Sequence, residues 1–286
     1  MHVNSIALRG FLPLLVLLAG AARNSAQPAA AAQPALSPAA AQSLVSRALA
    51  NELRAAQAPV RLMRYRLHKS TPRLTTTKEI VETRDGDVAR LLSIDDKPLT
   101  AAEDEQEKAR LDDLLGDPGK QSHRKRSEDA DLSRAVKVLQ ALPDAFIYRY
   151  AGPAASPGGT IEKFTFRPNP DFNPPDLETE VLTAMTGQLW IDPSAGRVTH
   201  LEGQLQQDVE IGWGFLGRLN KGGWISIDQA DVGGGQWRMV RFQMAMTARV
   251  LFRTRTFDAV EEERRFEPVP AGWGYRQAIG MLQAGP

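Results

Sequence analysis

The chain has 286 residues, of which 42% are hydrophobic and 24% charged, with 35 Lys and Arg against 34 Asp and Glu. A formal net charge of +1 gives no electrostatic case for nucleic-acid binding. The complete absence of cysteine excludes disulfides, a thiol nucleophile, Cys-ligated metals and lipid attachment at an N-terminal cysteine, so burial alone must hold the fold.

Residues 1–26 read as a signal peptide. Arg9 supplies the positive start, residues 11–19 the apolar core, and Gly20, Ala21 and Ala22 the small residues that follow. The core is shorter than the roughly 20 residues a bilayer span needs, and Pro13 interrupts it. Cleavage is expected after Ala21 or Ala26, leaving a periplasmic or secreted protein; the alternative is an uncleaved anchor. Residues 27–38 are an Ala/Pro-rich linker. A single domain is expected over residues 39–270, with 271–286 as a C-terminal tail.

Ser37-Pro38 has the form of a helix start, and Leu44, Val45, Ala48, Leu49 and Leu53 recur at helical spacing, which predicts an amphipathic helix over 39–57. A three-strand meander follows: around 63–67, around 77–83, and over 88–94 after the turn Asp85-Gly86-Asp87. Thr100-Ala101-Ala102-Glu103 is a capping-box sequence that opens a charged helix to about 115. Residues 116–129, with the basic run His123-Arg124-Lys125-Arg126, read as a solvated polar loop. A second helix is expected over 131–142.

From here strands dominate. Residues 146–150 and 161–166 flank a Gly/Pro/Ser loop, and a short helix is expected near 176–185. Gly187-Gln188-Leu189-Trp190-Ile191-Asp192 leads into Arg197-Val198-Thr199-His200-Leu201-Glu202 as a hairpin. Residues 224–228 alternate cleanly. In 236–265, Val240, Phe242, Met244, Met246, Ala248, Val250 and Phe252 share one parity with no Gly or Pro to interrupt them. One long strand running round a curved sheet is the preferred reading, with a bulge or a turn near 257–259 as the alternatives. Glu261-Glu262-Glu263-Arg264-Arg265 has the character of a charge-protected sheet edge.

Catalytic motifs are missing: there is no Gly-x-Ser-x-Gly elbow, no His-Glu-x-x-His and no phosphate-binding loop. No catalytic residue, metal ligand or cofactor is assigned, and the chain is read as a non-enzyme. A hydrolase would need His200 within hydrogen-bonding reach of Asp192 or Glu202 in a cleft. His68 and His200 lie on polar strand faces, where a solvent-facing or cross-strand role is preferred to a shared metal.

The order of elements, with the hairpin 187–202 and the terminal strands 239–266, resembles the LolA-like family of outer-membrane lipoprotein-sorting carriers. Relatives of that fold include RseB-type sensors and mycobacterial lipid-binding lipoproteins. The hairpin is similar to that fold's "G-x-hydrophobic-aromatic-I-D … R-V" pattern. The resemblance implies an α+β fold in which a curved antiparallel half-barrel of about ten strands carries a helical lid, with a cavity for acyl chains.

On that basis the expected function is non-catalytic binding of a lipid, acyl chain or lipoprotein. The wall would comprise Phe242, Met244, Met246, Val250 and Phe252, and the lid Leu132, Val136 and Leu139. Membrane contact would be at most peripheral. The alternative is an envelope protein-interaction or structural module whose apolar face is filled by its own helices.

Overall fold

The structure is a computed structural model that describes residues 36–59, 61–211, 217–250 and 253–284. The proposed signal peptide lies outside these residues. Helix α1 (Pro38–Gln57) begins where the sequence places it: the Ser37 hydroxyl accepts from the Ala40 amide, and Pro38 occupies the first turn. Its apolar stripe, Leu44, Val45, Ala48 and Leu49, is buried. Strands β1 (Met63–Ser70), β2 (Thr75–Val81) and β3 (Val88–Ile94) form the meander, extended by a two-residue β4 (Lys97–Pro98). Helix α2 (Ala101–Gly116) opens on the capping box, with the Thr100 amide donating to Glu103 Oε2 at 2.8 Å.

Residues 116–129 are not a loop. They form the first half of α3 (Pro118–Ala145), a single 28-residue helix that also contains the helix expected at 131–142. The carboxylate of Asp117 caps it by accepting from the amides of Gly119 and Lys120. Ion pairs such as Lys125–Asp129 and Arg134–Asp131 line its solvent face. The stretch lacks an apolar stripe because this half is fixed by polar contacts instead. Gln121 donates to the carbonyls of Asp85 and Gly86, and Glu128 accepts from the Asp87 amide.

Strands β5 (Phe146–Ser156) and β6 (Gly159–Pro168) make a tight hairpin through residues read in sequence as a loop. A short α4 (Leu177–Glu180) and a 3-10 turn (Val181–Ala184) precede the expected hairpin of β7 (Met185–Asp192) and β8 (Arg197–Leu205). Then come β9 (Val209–Ile211), β10 (Gly217–Leu219), β11 (Trp224–Asp231), β12 (Trp237–Val250) and β13 (Arg253–Pro268). The single long strand expected over 236–265 is therefore a hairpin, and it reverses between Val250 and Arg253, not at 257–259. An uninterrupted strand of that length would have extended roughly 100 Å, far beyond any partner in the sheet.

Among the described residues, all thirteen strands join one open antiparallel sheet. Its order is β4-β3-β2-β1-β13-β12-β11-β8-β7-β6-β5, with β10 on β12 and β9 on β10. The Glu261–Arg265 cluster is not at an edge. It lies in β13 between β1 and β12, where Glu261 meets Lys69 at 2.6 Å and Glu262 meets Arg241 at 3.4 Å.

Helices are split between the two faces. Helix α1 and the C-terminal half of α3 pack on β5–β8, burying Phe164, Leu189, Ile191, Val198 and Leu205. At the other end α2 and α5 (Tyr275–Gln283) cover Val81 and Val88, whose side chains point the opposite way. Residues 271–286 thus contain a packed helix, with Ala278 and Ile279 fully buried, and the domain continues past residue 270.

Helix α3 joins the two ends. From Gln121 to Leu142 it spans about 32 Å, yet eight strand intervals separate β2 from β5. In a flat sheet that separation would be about 38 Å. The sheet curves, and α3 lies across its inner side as a chord.

Candidate binding groove

Strand register places one row of directly paired residues across the inner face: Tyr150, Phe164, Leu189, Leu201, Ile227, Phe242, Glu261, Lys69 and Thr76. The next row runs Tyr148, Phe166, Gly187, Gly203, Ile225, Met244 and Ala259. Gly187 has a steric reason. A Cβ there would lie 1.8 Å from the Glu202 carbonyl oxygen and 2.7 Å from the Phe166 ring.

Along both rows the residues of β6 and β7 sit in the core beneath α1. Beyond β8 the cover thins. Ile225, Ile227, Phe242, Met244 and Met246 are apolar, inward-facing and only half-buried. Ile225 packs on the edge of the α1 core, while Ile227, Phe242, Met244 and Met246 belong to neither hydrophobic cluster. This strip is the floor of the candidate groove, on the face that α3 crosses between the 85–87 turn and β5.

The groove changes character at β13. Next to the apolar strip stand Lys69, Lys78, Glu261, Glu263, Glu82 and Asp87. Two of these acids are paired: Glu261 with Lys69 at 2.6 Å, and Glu82 with Arg238 at 2.9 Å. Burial, reinforced by the Glu82 and Glu261 carboxylates, pushes Glu263 up to about 8. Burial, then the neighbouring Glu128, pushes Asp87 up to about 7. Tyr65 stacks on Phe266 at 5.3 Å, and burial raises its hydroxyl well above the usual tyrosine range. The groove is thus amphiphilic, with an apolar half on β11–β12 and a polar half on β13, β1 and β2.

Of the expected wall, Phe242, Met244 and Met246 share this floor. The Val250 side chain and Phe252 lie outside the described residues. Of the expected lid, Leu139 packs against the α1 core, Val136 is half-buried and Leu132 is 47% exposed. Ile225 and Ile227 share the floor without having been expected there, although the alternation at 224–228 carried the signal for both.

A second concavity of about 640 Å³ lies between the start of α1 and the β5–β6 hairpin, lined by Leu36, Pro38, Ala41, Tyr148, Tyr150, Phe164 and Phe166 among others. Burial and the Glu162 carboxylate, 2.6 Å away, push the Tyr150 hydroxyl up to about 12. None of the residues expected to bind ligand lines this cleft.

On the outer face another paired row runs Lys163, Trp190, His200, Asp228, Arg241, Glu262 and His68. His200 Nδ1 meets Asp228 Oδ1 at 2.6 Å, and its ring packs on Trp190 at 4.3 Å. Its acidic partner is therefore Asp228, with Glu202 at 3.8 Å, while Asp192 instead caps the β7–β8 turn. Four strand intervals, about 19 Å, separate His200 from His68, so the two cannot share a metal. Among the described residues no three His, Asp or Glu side chains are grouped to hold one, and no helix is long and apolar enough to cross a membrane.

Comparison with known proteins finds no family model, curated protein or solved structure that matches this chain.

Proposed function

We propose that this chain is an exported, non-catalytic binder of a lipid acyl chain, related to the LolA-like carriers, that holds its ligand in the groove beneath α3. The observation that carries this reading is the strip Ile225, Ile227, Phe242, Met244 and Met246. These five inward apolar side chains are only part-buried; four belong to neither hydrophobic cluster, and Ile225 packs on the edge of the α1 core. Apolar surface left open inside a concave face is the form a ligand site takes, and methionine adapts to varied chain shapes. Each methylene buried there contributes about 0.8 kcal/mol. The polar half of the groove fits the headgroup end.

The alternative of an interaction module with a self-filled core would require the whole strip to be packed, whereas only its edge residue Ile225 packs on the α1 core. Titration with a fluorescent fatty acid tests the reading. Saturable uptake by the wild type is expected, with loss in a folded Met244→Lys/Met246→Lys variant. No uptake, or uptake unchanged in the variant, would overturn it.

A further inference from the structure

The end of the sheet where β12 turns into β13 carries a concentration of unneutralised arginine. In the sequence from 242 to 257 there are three arginines, Arg249, Arg253 and Arg255, and no acidic residue. Register sets them around the hairpin end. Arg255 pairs with Ala248 and Arg253 with Val250, on the inner parity; Arg249 pairs with Thr254 and Arg218, on the outer parity. All four are exposed. Arg218 is partly offset by Asp208 at 3.4 Å and lies opposite Glu210 in β9. No ion pair is formed by Arg249, Arg253 or Arg255 among the described residues. In the middle of the sheet charge is offset by cross-strand ion pairs, as in Arg241–Glu262 and Lys69–Glu261. Here it is not, and the sequence joining Arg249 to Arg253 consists only of apolar residues.

We propose that this arginine collar docks the protein, hairpin end first, on a bilayer surface rich in anionic phospholipid. Guanidinium groups suit this role, since each presents several donors to phosphate oxygens in a fixed planar fork. Arginines on both faces of one hairpin place their charges in a ring, so the hairpin meets the surface end-on. Basic residues at such a surface each strengthen adsorption about fivefold. The inference does not rest on acyl binding, although a carrier would need such a surface to exchange cargo.

The test is co-sedimentation of the protein with vesicles of phosphatidylglycerol mixed with phosphatidylcholine, against phosphatidylcholine alone. The wild type is expected to bind only the anionic vesicles, and less as salt is raised. Arg249→Gln/Arg253→Gln/Arg255→Gln should weaken binding by more than tenfold. A charge-matched control at exposed positions elsewhere, Arg73→Gln/Arg84→Gln/Arg126→Gln, should bind as the wild type does. Equal binding to both vesicle types, an unaffected collar variant, or an equal loss in the control would each overturn the proposal. So would retention on single-stranded DNA without vesicle binding, which would assign the collar to nucleic acid. The Met244→Lys/Met246→Lys variant should still sediment with anionic vesicles, which separates failure of this inference from failure of the acyl-binding reading.

Discussion

Four residues set the terms on which the groove exists: Glu52, Gly187, Asp87 and Glu263. Glu52, almost fully buried on α1, accepts two hydrogen bonds of 2.8 Å from Arg197 and one of 2.9 Å from the Val198 amide. Removing one partner strands the other's charge, so Glu52→Ala should lower unfolding free energy by about 3 kcal/mol or more in urea denaturation. Gly187→Ala should cost about 3 kcal/mol, because the new methyl group meets backbone, which cannot rotate away. The groove acids predict a pH dependence. Asp87 and Glu263 hold their protons in the folded state to about 7 and about 8, well above the unfolded values. Their contribution is therefore full at low pH and is lost as pH rises through those values, with a slope of up to about 1.4 kcal/mol per pH unit for each group. Denaturation at a series of pH values should show stability falling from pH 5 to 9, and Asp87→Asn/Glu263→Gln should flatten that fall.

At the scale of elements, local signals explain what the sequence made legible. Ser37-Pro38 and the Thr100–Glu103 box start helices by hydrogen bonds between near neighbours, and the β7–β8 hairpin is closed by Asp192 accepting from the Ser194 and Ala195 amides. Such devices are visible in a short window. Helix α3 was not, because its first half depends on Gln121, Arg124 and Glu128 reaching the turn 85–87, more than thirty residues earlier in the chain. The β12–β13 reversal was hidden for a different reason: the hairpin turns without glycine or proline, and parity is continuous on either side. Because α3 is capped by a single side chain, Asp117→Ala should destabilise the protein by about 1 kcal/mol. Amide hydrogen exchange should then accelerate first in residues 118–130, whose contacts to the sheet are few and polar.

At the scale of the molecule, the antiparallel sheet and its inward parity at 242–248 could be read from alternation, but the placement of the helices could not. Nothing local says that α2 and α5 cover the outer face while α1 and α3 cover the inner one. That division depends on ion pairs and packing between residues over a hundred positions apart, such as Arg197 with Glu52 and Arg238 with Glu82. It leaves a part-buried apolar strip on the inner face of β11 and β12 that belongs mostly to neither cluster. The central claim is that this strip holds an acyl chain, and the seven methionines offer the most direct probe. With their methyl groups labelled for NMR, a fatty acid carrying a spin label near its chain end should broaden Met244 and Met246 on the groove floor most strongly, and leave Met63 and Met281 sharp. Uniform broadening, or none at Met244 and Met246 at saturating ligand, would contradict the account.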